Sequence, residues 1–274
     1  MKPERLYEKD GIEIWLGDCL DRATSLDVMG DRIANLLCVD APYSEKTHSG
    51  HAGGKITADR AAGFNVDTPE GRYAKKVASG LKERRDISYS HWTKQHVSAF
   101  MDVWRLRVDG WFCSLTDHVL APDWAGYFEA YGLYTFSPLP WVEIGSRVRM
   151  TGDGPSGWTC QLVVARPRTS KFSKWGTLPG AYIMPGENHQ NRPTRIMGAK
   201  SITGMCELIG DYSRPGDLVV DPCVGGGTTA LACRMTGRRF IGIERDAETA
   251  KLAISALEYG SRRVMDMRQV DAFL

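Results

Sequence analysis

Two carboxylates near the end of the chain follow apolar runs in a pattern that favours a nucleoside site. Asp221 follows Leu-Val-Val at 218–220 and precedes Pro-Cys-Val-Gly-Gly-Gly-Thr-Thr at 222–229, while Glu244 ends the next apolar run. The order predicts a βαβ unit. Glycines there would let the backbone approach a ligand, and Glu244 could accept hydrogen bonds from both ribose hydroxyls. A tight turn without a ligand is the alternative.

The residues before the glycines indicate which nucleoside derivative would bind. A dinucleotide site requires G-x-G-x-x-G, which cradles a pyrophosphate at a helix N-terminus, usually in the first βα turn of its domain. Here Asp-Pro precedes the glycines, and the unit lies late in the chain. Asp221 would repel a pyrophosphate, so the motif favours a ligand with a cationic amino group, such as S-adenosylmethionine.

A third carboxylate lies far upstream. The mostly apolar run 33–39 predicts a buried parallel strand that ends at Asp40 and is followed by Pro42 and Tyr43. The carboxyl ends of such strands are where open α/β sheets bind ligands.

These motifs together resemble a known family. Asp-Ala-Pro-Tyr at 40–43 resembles the D-P-P-Y motif of amino-group DNA methyltransferases, and 221–229 resembles their D-P-F-x-G-x-G-T-T motif. Arg-Arg-Phe-Ile-Gly-Ile-Glu at 238–244 is similar to their G-R-x-F-x-G-I-E. A catalytic motif that precedes the cofactor motif is the order of the permuted β class. The resemblance implies one Rossmann-like α/β methyltransferase domain over 1–274, with a mostly parallel sheet and helices on both faces.

The resemblance also assigns roles. Asp40 and the Ala41 carbonyl would accept hydrogen bonds from the target amine, with Pro42 beside them and Tyr43 stacked on a flipped base. Gly-Asp-Cys at 17–19 looks like the segment beside the cofactor adenine, and 198–201 looks like the Q-K-P segment beside the methionine end. The residues assigned to S-adenosylmethionine are Asp18, Cys19, Lys200, Ser201, Asp221, Pro222, Gly225, Gly227, Thr228, Thr229, Glu244 and Arg245.

Three positions depart from the family pattern. Ala41 replaces the first proline of D-P-P-Y, which keeps the carbonyl but loses the fixed φ of proline. Ser201 replaces the proline of Q-K-P, and Cys223 stands at the position of the phenylalanine. Activity is not excluded by the change at Ala41.

Between the motifs, apolar spacing predicts the elements that would position these residues. Helices are expected at 97–107 and 124–131, with a short one at 73–81, and strands at 110–115, 133–140 and 158–165. The stretch 176–198, rich in Gly, Pro and Asn, is expected to wrap the surface or to form part of a target-recognition region.

Charge predicts a double-stranded DNA partner. The net charge is only +2, but residues 44–95 carry ten Lys/Arg against six Asp/Glu, and residues 141–200 carry nine against three. Basic charge therefore concentrates in a predicted mobile DNA-contacting loop at 44–95 and a predicted target-recognition region within 141–198. An ordinary solvated surface is the alternative.

The candidate contacts with DNA are His48, His51, Arg166, Arg168, Lys171 and Lys174. No carboxylate or cysteine cluster accompanies His48 and His51, so no metal site is predicted.

Composition favours a cytoplasmic enzyme. No apolar run approaches the roughly 20 residues that span a bilayer, and the charged start lacks a signal-peptide core. Seven cysteines without a C-x-x-C pair predict reduced thiols, with Cys19, Cys38 and Cys223 as small packed apolar residues.

The sequence thus predicts methylation of adenine N6, since the family's cytosine-N4 enzymes more often begin the tetrad with Ser. Cytosine N4 is the near alternative. Methylation of RNA or of a protein amide, and a catalytically silent DNA-binding subunit suggested by Ala41, also remain open. So do a homodimer and a cognate restriction endonuclease.

Overall fold

The computed structural model describes residues 2–52, 67, 72, 89–145, 155–184 and 198–271. Their strands are β1 (Glu4–Lys9), β2 (Ile12–Leu16), β3 (Ala34–Asp40), β4 (Val108–Thr116), β5 (Tyr134–Thr135), β6 (Leu139–Glu143), β7 (Thr159–Arg166), β8 (Tyr182–Met184), β9 (Leu218–Asp221) and β10 (Arg239–Glu244). Their helices are α1 (Arg22–Met29), α2 (Glu45–Ala52), α3 (Lys94–Trp104), α4 (Ala121–Ala130), α5 (Ile202–Tyr212), α6 (Thr228–Met235) and α7 (Ala247–Asp271), and Ser170–Phe172 forms a 3-10 turn.

These strands form one sheet in the order β1-β2-β10-β9-β3-β4-β7-β6-β8, with β5 paired to β7. The central strands β2, β10, β9, β3 and β4 are parallel, whereas β1 and β7 run antiparallel to their neighbours. Since parallel strands end on the same side, Asp40, Asp221 and Glu244 share one edge of the sheet. We call it the carboxyl edge, and the opposite one the amino edge.

Helices cover both faces, as the alternating side chains of β3 require. Leu36 and Cys38 belong to a core cluster with residues of α5, α6 and α7, whereas Leu37 and Val39 belong to a second cluster with residues of α1, α3 and α4. A strand buried on both faces must be apolar at nearly every position, which is what the run before Asp40 shows. The predicted sheet with helices on both faces is therefore confirmed.

Some local predictions differ from the structure. The strand expected at 133–140 is divided into β5 and β6, and the stretch 176–198 contains β8, whose Tyr182 and Met184 are buried against the core. The segment after Tyr43 begins with helix α2 rather than a loop. The helix expected at 73–81 lies outside the described residues.

None of the described helices is both long enough and apolar enough to cross a bilayer.

Candidate functional site

A cavity of about 590 Å³ opens at the carboxyl edge. Its walls come from the turns after β2, β3, β9 and β10 and from the segments 89–92 and 198–200. The topology thereby brings together residues that are far apart in sequence. The predicted site residues that line it are Asp18, Cys19, Asp40, Pro42, Lys200, Asp221, Pro222, Gly225, Thr228, Thr229, Glu244 and Arg245.

Asp40, the last residue of β3, forms an ion pair with Lys200. The lysine Nζ lies 2.5 Å from Asp40 Oδ2, and the lysine side chain is only 6% exposed. The other oxygen, Oδ1, is buried and meets no hydrogen-bond donor among the described residues. The Asp40 side chain is 26% exposed, so water in the cavity partly screens the pair, and Lys200 orients the carboxylate at the cavity wall.

The residues that follow Asp40 are placed unequally. Pro42 lines the cavity, but Ala41 is 3% exposed and Tyr43 is 7% exposed. The Tyr43 carbonyl accepts a hydrogen bond of 3.0 Å from Trp92 N, and the Lys200 ammonium lies 5.1 Å from the tyrosine ring centroid. Tyr43 is therefore packed into the core instead of facing the cavity.

Asp221, the last residue of β9, is fully buried beside the cavity. Its Oδ1 accepts a hydrogen bond of 3.0 Å from Cys223 N. Burial raises the pKa of this carboxyl to about 7, although the nearby Thr229 hydroxyl and the Cys223 amide lower it. A cation in the cavity would favour the ionised form of Asp221 and lower its pKa.

The glycine turn has a backbone that favours glycine. Gly225 and Gly227 have φ values of +50° and +82°, in the left-handed region. A side chain on Gly227 would also lie 3.0 Å from Ala253. Gly227 is the N-cap of α6, and Thr228 and Thr229, buried at the cavity wall, are the first residues of that helix.

Glu244, the last residue of β10, is held by three backbone amides. Gly225 N donates to Oε2 at 3.0 Å, and Arg245 N and Asp246 N donate to Oε1 at 2.8 and 3.0 Å. A carboxylate has about four acceptor positions, so one remains, on Oε2. Burial raises the pKa of this carboxyl, and the three amides oppose the rise.

The turn after β2 and the start of α5 complete the wall. Asp18 Oδ1 accepts a hydrogen bond of 2.9 Å from Leu20 N. Ser201 lies outside the cavity lining and caps α5, since its side chain accepts from Gly204 N and its own N donates to Glu143 Oε1 at 2.9 Å. A proline at this position would lack the N–H that Glu143 binds.

The three singled-out cysteines differ in burial. Cys38 is 1% exposed, as predicted for a small packed residue. Cys19 and Cys223 are half-buried and line the cavity, with their sulfur atoms 3.7 Å apart. Both also pack against the core cluster of β3 that includes Leu37 and Val39, so they are packed residues that in addition line the cavity.

The basic residues predicted to contact DNA after β7 lie at the amino edge, away from the cavity. β7 is antiparallel to β4 and pairs Ala165 with Phe112, four residues before the β4 carboxyl end at Thr116. The Arg166 guanidinium packs 4.9 Å from the Tyr134 ring centroid and 5.2 Å from that of Phe172. Arg168 lies 5.3 Å from the Tyr134 centroid, Lys171 pairs with Asp109 at 3.2 Å, and Lys174 lies on the exposed surface.

The histidines of α2 differ in what the structure describes. His48 packs edge-on against Tyr89 and His91, with ring centroids 5.1 and 6.1 Å away. Burial, and then His91, lower the pKa of His48. The side chain of His51 lies outside the described part of the chain. Among the described residues, no group of three or more His, Cys, Asp or Glu could hold a metal ion.

A family model described as DNA methylase (N6_N4_Mtase) matches residues 44–255, more than half of the chain. The chain belongs to this family. The family predicted from the motifs is thus confirmed, and its methyl donor is S-adenosylmethionine.

The chain aligns with two relatives over short regions. It is 46% identical over 101 residues to the Type II methyltransferase M2.DpnII of Streptococcus pneumoniae, which covers 37% of the chain and 29% of that protein. It is 35% identical over 80 residues to the DNA adenine methyltransferase YhdJ of Escherichia coli (strain K12), covering 29% of the chain and 25% of that protein. The matches with curated relatives span about a third or less of their lengths.

Solved structures confirm the fold of the chain. The M1.HpyAVI–SAM complex superposes with a TM-score of 0.60 at 16% identity, covering 90% of this chain and 98% of that one. The PvuII DNA methyltransferase, described as cytosine-N4-specific, gives 0.52 at 13% identity, covering 89% and 86%. The expected Rossmann-like methyltransferase fold is therefore confirmed.

Sequence reasoning missed Asp117, the residue after β4. This buried carboxylate accepts hydrogen bonds from Ser44 N at 2.9 Å, Ser44 Oγ and Thr47 Oγ1 at 2.5 Å, and Val119 N and Leu120 N at 3.1 and 3.0 Å. Burial alone would raise its pKa, but the bonds from Ser44 and Thr47 lower it below the ordinary value. Asp117 thus anchors the segment that follows the D-A-P-Y motif. An apolar strand that ends in a carboxylate was the available signal.

Proposed function

We propose that the protein transfers a methyl group from S-adenosylmethionine to N6 of an adenine flipped out of double-stranded DNA. The observation that supports this best is the meeting of Asp40 with Asp221 and Glu244 at one cavity. Membership of the DNA methylase family supports the reaction class, and the name of YhdJ supports adenine as the base.

The chemistry of the cavity fits the cofactor. S-adenosylmethionine supplies a methyl group activated by a sulfonium charge. Asp221, with a pKa near 7, is stabilised as an anion when a cationic amino group lies beside it. Glu244 keeps one acceptor position for a ribose hydroxyl, so a second ribose bond has to replace one of the three backbone amides.

The other cavity residues take the remaining parts of the cofactor. In this proposal Asp18 and Cys19 lie at the adenine end, and Thr228, Thr229 and Lys200 lie at the methionine end. Gly225 lines the cavity and allows close approach of the backbone to the ligand, whereas Gly227 lies outside the lining and shapes the turn as the N-cap of α6. Pro222 and Arg245 shape the wall beside Asp221 and Glu244.

Asp40 acts on the target amine. The exocyclic nitrogen is a poor nucleophile because its lone pair is delocalised into the ring. When Asp40 and the Ala41 carbonyl accept hydrogen bonds from its two N–H groups, the nitrogen becomes more pyramidal. Its lone pair is then more available to attack the methyl group. Lys200 binds Oδ2 of Asp40, and Oδ1, which meets no donor among the described residues, is the oxygen left for the amine. Stacking of the base on Tyr43 requires that the ring first leave the core.

Cytosine N4 is the second candidate, supported by a family that covers both amines and by the fold shared with the PvuII enzyme. The aspartate that begins 40–43 favours adenine. A cognate restriction endonuclease, suggested by the Type II name of M2.DpnII, and a homodimer remain predictions.

Mass spectrometry of nucleosides tests this proposal. The protein and an Asp40→Ala variant are incubated with unmethylated DNA, or with RNA, and with S-adenosylmethionine that carries a deuterated methyl group. Label in N6-methyladenine from DNA, made by the wild type only, is the expected result. Label in N4-methylcytosine transfers the function to the second candidate. If the protein binds S-adenosylmethionine but no nucleoside is labelled, the proposed methyltransferase activity is contradicted. A catalytically silent DNA-binding subunit is then favoured.

A further inference from the structure

Two thiols face each other in the cavity wall. The Sγ atoms of Cys19 and Cys223 are 3.7 Å apart, a distance at which one S–H points to the other sulfur. Both residues are half-buried and line the cavity. Of the five other cysteines, Cys206 is half-buried, and the rest, Cys38, Cys113, Cys160 and Cys233, are buried.

Hydrogen bonds between side chains and the backbone groups of the two cysteines hold both residues in place. Trp104 Nε1 donates a hydrogen bond of 2.8 Å to the Cys19 carbonyl, and Cys223 N donates one of 3.0 Å to Asp221 Oδ1. Cys19 follows β2 and Cys223 follows β9, which lie on either side of β10. The two turns therefore meet over the end of β10, where Glu244 is located, although 204 residues separate the cysteines.

We infer that Cys19 and Cys223 form a dithiol site that thiol oxidants convert reversibly to a disulfide, and that the disulfide weakens cofactor binding. This rests on the proposed function only in taking S-adenosylmethionine as the ligand of the cavity. Disulfides in reducing compartments are typically transient and redox-sensing, which agrees with a pair that is reachable from a cavity.

The chemistry needs a hydroperoxide as oxidant. The hydrogen bond with Cys19, together with burial, raises the pKa of the Cys223 thiol. The Cys19 sulfur attacks the peroxide, which leaves Cys19 as a sulfenic acid and releases an alcohol, or water from hydrogen peroxide. The Cys223 sulfur then attacks the Cys19 sulfur, the S–O bond breaks, and water leaves with the Cys223 proton. A dithiol reductant reverses the change by exchange.

The disulfide would alter the cavity because it shortens a distance across the wall. An S–S bond is about 2.05 Å long, so the two sulfur atoms must approach each other from 3.7 Å. The turns that carry Asp18 and Gly225 move with them, and both residues line the cavity. Binding and oxidation are then linked, and the cofactor must oppose the disulfide by the same factor by which the disulfide weakens the cofactor.

The test compares the reduced and oxidised full chain. Protein reduced with dithiothreitol and desalted is treated with hydrogen peroxide, peptides are mapped by mass spectrometry, and S-adenosylmethionine affinity is measured by calorimetry. We expect a cross-link between the Cys19 and Cys223 peptides and a dissociation constant at least about tenfold higher, restored by dithiothreitol. Saturating cofactor should then raise the midpoint potential of the pair by about 30 mV, since that shift equals tenfold in a two-electron couple.

Two variants and a second probe complete the test. Cys206→Ser changes the remaining half-buried thiol, outside the cavity, and should keep the full response to peroxide. Cys223→Ser should lose the difference between its treated and untreated affinities. Phenylarsine oxide bridges paired thiols with loss of water, and it should bind one per chain to the wild type and to Cys206→Ser, but not to Cys223→Ser.

Absence of the Cys19–Cys223 cross-link overturns the dithiol site. A cross-link that changes cofactor affinity less than twofold overturns its effect on binding. If the reduced wild type does not bind S-adenosylmethionine, the proposed function fails instead, and the cross-link and the arsenical stoichiometry still decide whether the dithiol site exists.

Discussion

The carboxyl and amino edges of the sheet both collect charged side chains, but they hold them differently. At the carboxyl edge, Asp40 and Asp221 are set against a cavity, and Asp40 keeps a buried oxygen without a described donor. At the amino edge, Arg166 is surrounded by aromatic rings, and Lys171 is paired with Asp109 on the surface. Residue type alone therefore does not identify a functional charge. What distinguishes the two edges is whether the fold already uses the charge for packing.

The largest effect is expected from Asp40→Ala at the carboxyl edge. The variant removes the acceptor used by the target amine, and loss of a single group of this kind commonly reduces kcat by at least about a hundredfold. Cofactor affinity should remain nearly intact because Asp40 does not bind the cofactor in the proposed site. Methyl transfer and calorimetry are measured with Asp109→Ala as the control for the amino edge. Wild-type turnover in Asp40→Ala would remove Asp40 from the mechanism.

Asp117→Ala tests whether a carboxylate at the same edge can be structural. It leaves the buried donors of Ser44 and Thr47 without an acceptor, so the free energy of unfolding should fall by about 3 kcal/mol. The lowered pKa of Asp117 contributes stability above the ordinary value of about 3.9, and this contribution is lost as the pH falls through the folded-state value. The difference from the wild type should therefore shrink below about pH 4. Denaturant unfolding measures both effects.

The control is the exposed Asp109, which lies in β4, the strand that ends just before Asp117. Asp109→Ala should change the free energy of unfolding by less than about 0.5 kcal/mol, as is usual for surface substitutions. Equal losses for the two variants would contradict the anchoring role of Asp117.

Glu244→Ala should weaken S-adenosylmethionine binding by about 1.5 to 3 kcal/mol, the scale of hydrogen bonds to a charged group. The variant also releases the three backbone amides, so circular dichroism must first show that it is folded. Calorimetry gives the affinity. An unchanged dissociation constant would place the ribose elsewhere in the cavity.

Cofactor affinity should depend on pH through Asp221. This carboxyl binds a proton below about pH 7 in the empty protein, and a cationic ligand favours the ionised form. Affinity should therefore fall by up to about tenfold for each pH unit below 7, and it should fall again above about pH 8, where the ligand's amino group loses its proton. Calorimetry at constant ionic strength measures the profile. Asp221→Asn should flatten it, and an equally steep profile in that variant would assign the titration to another group.

The smallest effect is expected at the amino edge, from Arg168→Ala, Lys171→Ala and Lys174→Ala together. Arg166 is left in place because it is packed among rings. If these residues contact phosphates, as the sequence predicted, the slope of log K against log salt for duplex DNA should fall by about 0.9 for each contact. Because these residues lie at the amino edge, away from the cavity, we expect the slope to fall by less than the 0.9 that one phosphate contact contributes. If the slope fell by the equivalent of two phosphate contacts or more, the amino edge would be identified as a DNA-binding surface.

The sequence predicted the carboxylates of the site better than the partners of those carboxylates. Asp40, Asp221 and Glu244 each follow an apolar strand, a local signal that also fixes which edge they share. The Lys200–Asp40 pair and the Cys19–Cys223 contact depend on the order of strands in the sheet, which no local pattern encodes. Arg166 was assigned to DNA because its neighbours are basic and aromatic. The antiparallel direction of β7 instead carries it to the other edge.

The pairing of early strands with late ones has a consequence for synthesis on the ribosome. β3 pairs with β9 through Leu36 and Val219, and β2 pairs with β10 through Ile12 and Phe240. At about 5–20 residues per second, roughly 10–40 s pass between emergence of Leu36 and of Val219. During that interval β9 and β10, which lie between β2 and β3 in the finished sheet, have not yet been synthesised. The apolar strand β3 therefore has an unpaired edge. The nascent chain should therefore depend on chaperones until β9 and β10 close the gap.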